Sequence, residues 1–109
     1  MQTLLGTSAD VHEPSANTDA VVGYTGADGL SHGITGVAWS YNAAPTNGNL
    51  KIEDDDNTIL SIDITAAGPG VIYFDPAKTI SEEQDLTVTL SAGGASVTGK
   101  VSVLGHFLK

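Results

Sequence analysis

At 109 residues the chain has the length of one domain, enough for one core and too short for two. Its hydrophobic fraction of 40% is drawn mainly from Val, Ile, Leu and Ala beside Thr and Ser, a composition that favours pleated sheet and argues against disorder. Thirteen Asp and Glu against four Lys, with no Arg, give a net charge of −9. That balance excludes nucleic acid as a partner, because phosphate binding relies on Lys and Arg displacing counterions, and it disfavours an anionic membrane surface.

With no Cys in the sequence, a disulfide framework, a thiolate metal site and a cysteine nucleophile are all ruled out. The start of the chain lacks the basic and apolar regions of a signal peptide. No apolar run approaches the ~20 residues that span a bilayer. The expectation is a soluble chain made in a cytoplasm.

Residues 1–17 carry no strand periodicity and read as an N-terminal arm ahead of a β-sandwich domain over 18–109. Leu4, Leu5 and Val11 are the arm's large aliphatic residues, too few to offset an ordering cost of about 1–2 kcal/mol per residue. The arm is therefore expected to become ordered against a partner. Ala20-Val21-Val22-Gly23-Tyr24 reads as the first strand, followed by a glycine-rich turn at Gly26-Ala27-Asp28-Gly29.

From His32 to Asn42 the pattern predicts a long strand with Val37, Trp39 and Tyr41 on one face, and a bulge near Gly36 to bring Ile34 onto the same side. Pro45-Thr46-Asn47-Gly48 makes a turn. A hairpin follows, with Leu50, Ile52, Leu60, Ile62 and Ile64 inward and Asp54-Asp55-Asp56-Asn57 at its tip. Val71-Ile72-Tyr73-Phe74 reads as a short strand. The stretch from Asp75 to Asp85 reads as a polar connection in which Ser81 and Gln84 cap one helical turn.

Leu86-Thr87-Val88-Thr89-Leu90 alternates cleanly, and Ala92-Gly93-Gly94-Ala95 is expected to be a hairpin turn into a last strand running from Ser96 towards Leu108. Seven or eight short strands separated by turns at ~8–12 residue intervals predict an all-β fold, an antiparallel β-sandwich in jelly-roll order. Val103 and Phe107 against Leu104 and Leu108 place apolar groups on both faces of the last strand. One small sandwich would struggle to cover both, so these four residues are the candidate interface of a homotrimer.

The chemistry-bearing patterns are weak. Gly29-Leu30-Ser31-His32-Gly33 matches the G-x-S-x-G elbow of hydrolases, but a strand continues where the elbow needs a helix. Glu53-Asp54-Asp55-Asp56 is rich in carboxylates, yet an EF-hand started at Asp54 would have Ile59 where glycine is required and Thr65 where the bidentate glutamate is required. His12, His32 and His106 lack metal-ligand spacing. The aromatics Trp39, Tyr41, Tyr24, Tyr73, Phe74 and Phe107 read as core, with an exposed cluster of two or three as the mark of a sugar-binding face. The sequence therefore points to no catalytic residue, no cofactor and no metal.

The stretches His32-Gly33-Ile34-Thr35-Gly36-Val37-Ala38-Trp39-Ser40-Tyr41, Ala44-Pro45-Thr46-Asn47-Gly48-Asn49-Leu50-Lys51-Ile52-Glu53, Ile64-Thr65-Ala66-Ala67-Gly68-Pro69-Gly70 and Thr98-Gly99-Lys100-Val101-Ser102-Val103-Leu104-Gly105-His106 resemble small virion proteins of tailed bacteriophages, head decoration (cement) proteins above all. The resemblance implies a non-enzymatic subunit, commonly a trimer, that binds the major capsid protein on the outside of the virion. Leu4, Leu5 and Val11 of the arm would then be its capsid contacts. The alternative is a carbohydrate- or receptor-binding β-module of a phage tail fibre. Ser31→Ala is expected to leave folding and behaviour unchanged, with esterase assays silent for both forms.

Overall fold

The computed structural model describes residues 8–109. Its eight strands are β1 (Ser8–His12), β2 (Ala20–Tyr24), β3 (His32–Tyr41), β4 (Gly48–Asp54), β5 (Asn57–Ile64), β6 (Gly68–Thr79), β7 (Leu86–Leu90) and β8 (Gly99–Leu108). They form two four-stranded sheets, sheet A in the order β1-β8-β3-β6 and sheet B in the order β2-β7-β4-β5. The antiparallel pairs β1·β8, β2·β7, β3·β6 and β4·β5 are those of one ribbon doubled back at the β4–β5 turn. The pairs β3·β8 and β4·β7 wrap that ribbon into two layers, which is the jelly roll the sequence predicts.

The inner faces follow the period of two. Leu86, Val88 and Leu90 of β7, Leu50 and Ile52 of β4, Val101 and Val103 of β8, and Ile34, Val37 and Tyr41 of β3 are buried together, while the intervening Thr87 and Thr89 reach the surface. Tyr41 keeps its hydroxyl satisfied at the core's edge by donating to the Ser91 carbonyl at 2.7 Å. The register of β3 on β6 shifts between Ile34 and Gly36, the place expected for a bulge.

Four features differ from the sequence expectations. Residues 8–12 of the expected arm form β1, an edge strand of sheet A, and the Asn17 N–H donates to the Val97 carbonyl at 2.8 Å. The sandwich therefore begins N-terminal to the boundary set at residue 17. An edge strand is held largely by its backbone ladder, so it needs few apolar side chains and leaves little periodic signal.

The strand expected over Val71–Phe74 extends as β6 to Thr79, with no helical turn after it. Pro76, which has no N–H to give, sits where Tyr73 pairs with Gly36 and Lys78 with Ile34, so the intervening residues bulge out of the ladder on an edge strand. The Ala92-Gly93-Gly94-Ala95 turn is a crossing from sheet B to sheet A and makes no hairpin. Among the described connections only β4–β5 stays within one sheet.

The fourth difference concerns the acids, several of which close loops. Asp54 accepts from the Ser81 N–H at 3.1 Å and its hydroxyl at 2.9 Å, Asp85 from Gly26 N–H at 2.7 Å, Glu83 from Gly29 N–H at 3.0 Å and Asp19 from Ala92 N–H at 2.8 Å. Ionised carboxylates make such bonds stronger than neutral acceptors do. Asp54, read from the sequence as part of the hairpin tip, is thus a loop tether.

Leu50 sits at 0% exposure between the sheets. Leu50→Ala is expected to lower unfolding stability by about 2–5 kcal/mol, measured as a fall in the denaturant midpoint at unchanged slope.

Candidate functional site

The two sheets present different outer faces to solvent. Across sheet B the register aligns Val21, Thr89, Lys51 and Ser61 in one row and Gly23, Thr87, Glu53 and Thr58 in the next, the polar surface usual for a one-sided sheet. Across sheet A the corresponding rows are Val11, Ser102, Ala38 and Val71, then Leu104, Gly36 and Tyr73. Val11, Val71 and Tyr73 are 52%, 48% and 72% exposed.

Gly36 is the floor of this second face. A Cβ there would lie 3.2 Å from the Tyr73 ring and 3.5 Å from Leu104, so those side chains close over the bare backbone from either side. A shallow groove of about 220 Å³ runs alongside, lined by Val11, Glu13, Ala38, Pro69, Lys100 and Ser102 among others. Glu13 and Lys100 are the charged residues in that lining.

The residues expected from the sequence to meet a partner separate in the structure. Leu4 and Leu5 lie outside the described residues. Val11 is exposed on β1 at the rim of the groove. Val103 is 0% exposed within its own chain and so leaves the set of interface candidates. Leu104 stands on the outer face beside Gly36.

Phe107 covers Gly33, where a Cβ would come within 2.3 Å of its ring, and Leu108 pairs with buried His32 and shares its inward side. The expected grouping of Val103 with Phe107 against Leu104 with Leu108 therefore fails. Gly105, at φ 63°, breaks the alternation between them, so Leu104 and Phe107 face out while Val103 and Leu108 face in.

At one end of the gap between the sheets, four strands contribute a polar cluster. Tyr24 of β2 stacks on His106 of β8 with ring centroids 3.7 Å apart and planes 2° from parallel. Its hydroxyl donates to Asp10 of β1 at 2.5 Å. His106 Nε2 lies 2.8 Å from His32 Nδ1 of β3, and His32 Nε2 lies 2.8 Å from the Thr25 carbonyl.

Burial, followed by the hydrogen bond to Asp10 and its charge, raises the Tyr24 phenol far above its ordinary range. Burial and then the charge of His32 lower the pKa of His106 from its ordinary value of 6.5, against an opposing pull from Asp10. His32 and His106 are 74 residues apart, so no local spacing announces their meeting. Among the described residues no group of three His, Cys, Asp or Glu is placed to hold a metal ion.

The remaining patterns resolve as architecture. The G-x-S-x-G segment turns at Gly29, φ 73°, and runs into β3 with no helix. Ser31 exchanges backbone hydrogen bonds with Lys109 at 2.8 and 3.0 Å. Tyr41 is buried, Tyr24, Trp39, Phe74 and Phe107 are partly buried, and Tyr73 stands out alone. A cleft of about 310 Å³ beside β4 and β5 is lined by Pro45, Asn47, Gly48, Asp63, Ile64 and Thr65. It brings one carboxylate and no imidazole, and Asp63 already accepts from Asn49 at 3.1 Å.

No protein family matches the chain, and no curated protein matches it. Among solved structures it is similar to the CBM36-1 domain of a multidomain xylanase from the hindgut metagenome of Trinervitermes trinervoides, at 8% identity and a TM-score of 0.43, over 90% of this chain and 98% of that one.

Proposed function

We propose that the chain is a non-catalytic binding module that docks onto a partner protein through the outer face of sheet A. The observation that carries this reading is the contrast between the two outer faces: Thr, Ser, Lys and Glu with Val21 and Gly23 on one, Val, Leu, Ala, Gly and Tyr with Ser102 on the other. An exposed apolar sheet face of this kind marks an interaction site in a soluble domain. Its branched aliphatics suit a dry protein surface better than a hydroxyl-rich sugar. Because the chain carries −9 overall, the fitting partner has a flat apolar patch ringed by basic side chains. In the setting that the sequence resemblance implies, that partner is the major capsid protein, and the module is a decoration subunit bridging neighbouring capsid subunits.

Tyr73 favours a second reading, a glycan-binding module, since an exposed aromatic ring is the usual seat for a sugar face. The two readings separate on one set of variants. Val71→Glu on sheet A is expected to keep the fold, within about 0.5 kcal/mol, and to weaken attachment to capsids stripped of this chain by at least about tenfold. Thr89→Glu on sheet B should attach as wild type does.

Equal attachment by both variants would overturn the docking face. Binding to a polysaccharide panel that Tyr73→Ala abolishes would favour the glycan reading. Light scattering that reports a trimer of the isolated chain, dissociated by Leu104→Glu, would assign the face to self-association.

A further inference from the structure

The proton inventory of the His32–His106 pair is constrained by its surroundings. The Thr25 carbonyl can only accept, so His32 Nε2 carries a hydrogen, and the Nδ1 of neutral His32 must accept from the Nε2–H of His106. One added proton can sit on His106 Nδ1 without disturbing either bond. A second proton makes both rings imidazolium, and two N–H groups then face each other across 2.8 Å. The bond becomes a repulsion inside a partly buried site. The pair is thus built to hold one proton and to open on taking the second.

What opens with it is β1. Tyr24 stacks on His106 and holds Asp10 through its hydroxyl, so the rings and the phenol form a chain of contacts from β3 through β8 and β2 to the edge strand. A second tether of β1 ends on an imidazole: the Val21 N–H donates to His12 Nδ1 at 2.9 Å.

Asp28, Glu82 and the Lys109 side chain on the surrounding segments are exposed to solvent, and Asp85 accepts from Gly26. Glu83 accepts from Gly29, the Lys109 backbone pairs with Ser31, and Lys78 of β6 lies 5.7 Å from the centre of the Phe74 ring. Asp10 is the countercharge acting on His106.

We propose that the Asp10–Tyr24–His106–His32 cluster is an acid-sensitive latch: it fastens β1 to the sandwich while the imidazole pair carries at most one proton and releases the strand when both rings are protonated. The first proton already costs stability before a second sets the two N–H groups against each other. The folded chain disfavours the charged form of His106, so the unfolded chain binds more protons. Stability is then complete above the ordinary imidazole value of 6.5 and is lost as the pH falls below it. Since β1 carries Val11 at the rim of the sheet A face, its release would remodel that face, whichever partner occupies it.

Amide hydrogen exchange on the isolated full chain tests the latch without any partner, so its failure would leave the docking face standing. Protection factors, which remove the intrinsic pH dependence, are compared for β1 and for β7 at pH 7.5 and pH 5. In the wild type β1 is expected to lose about tenfold or more in protection relative to β7. His106→Phe keeps a ring on Tyr24 but takes no proton, and it should abolish that loss. His106→Gln, which still donates to His32, does the same if the phenylalanine variant folds poorly.

His12→Asn keeps an acceptor for the Val21 N–H and should retain the loss. A wild-type β1 whose relative protection ignores pH, or a loss that persists in both His106 variants, would overturn the latch. A loss that vanishes only in His12→Asn would place the trigger at His12 instead and overturn it equally.

Discussion

β8 lies between β1 and β3 in the sheet, and its Val101 and Val103 are at the centre of the core. Until these residues are in place, β1 has no strand to pair with and sheet A is reduced to the β3·β6 pair. The β3·β8 register runs from Tyr41 against Gly99 to His32 against Leu108, so most of the fold's closure is a pairing between distant parts of the chain. Loop closure on that scale must occur before the contacts that repay it, which makes such topologies slow to fold. The kink at Gly105 on β8, opposite the Thr35 bulge on β3, lets one strand serve two ends of the sandwich: an aliphatic core at one, a hydrogen-bonded polar cluster at the other.

That division also orders the surface. The ionisable groups Tyr24 and His106, both shifted by burial, sit between the sheets and stack on one another. What faces outward on sheet A is mainly aliphatic, with glycine as its floor, Tyr73 at its side and Glu13, Lys100 and Ser102 along the groove. The binding reading and the latch therefore share an edge strand while using different chemistry, burial of apolar surface for one and proton uptake for the other.

Legibility from sequence followed locality. The β4–β5 hairpin is readable because both strands and the turn lie in one window, with Asp55 at φ 54° in the tip. The β7–β8 connection looks the same in composition, yet it crosses between the layers, and nothing in Ala92-Gly93-Gly94-Ala95 distinguishes the two outcomes. β6 was obscured by Pro76, and β1 by its edge position. The sorting of Val103, Leu104, Phe107 and Leu108 depended on one left-handed residue at Gly105, a glycine inside an alternating run that could have signalled the break. The imidazole pair had no signal at all, because its partners are joined only through the β3·β8 ladder.

The antiparallel pairing of β1 with β8 sets Ser8 opposite His106, so the two extremes of the described chain lie side by side. The jelly roll is in this sense a nearly closed loop of polypeptide, and its linear order is one of several that would trace the same path. Joining residue 109 to residue 8 by a short linker and opening the chain at the Asp55–Asp56 tip would make β8 and β1 sequence neighbours, a local hairpin. The pairing of β4 with β5 would become the one with the greatest separation. The same native contacts would then be reached from the opposite end of the topology, with sheet A assembled first and the ribbon's original fold point closing last.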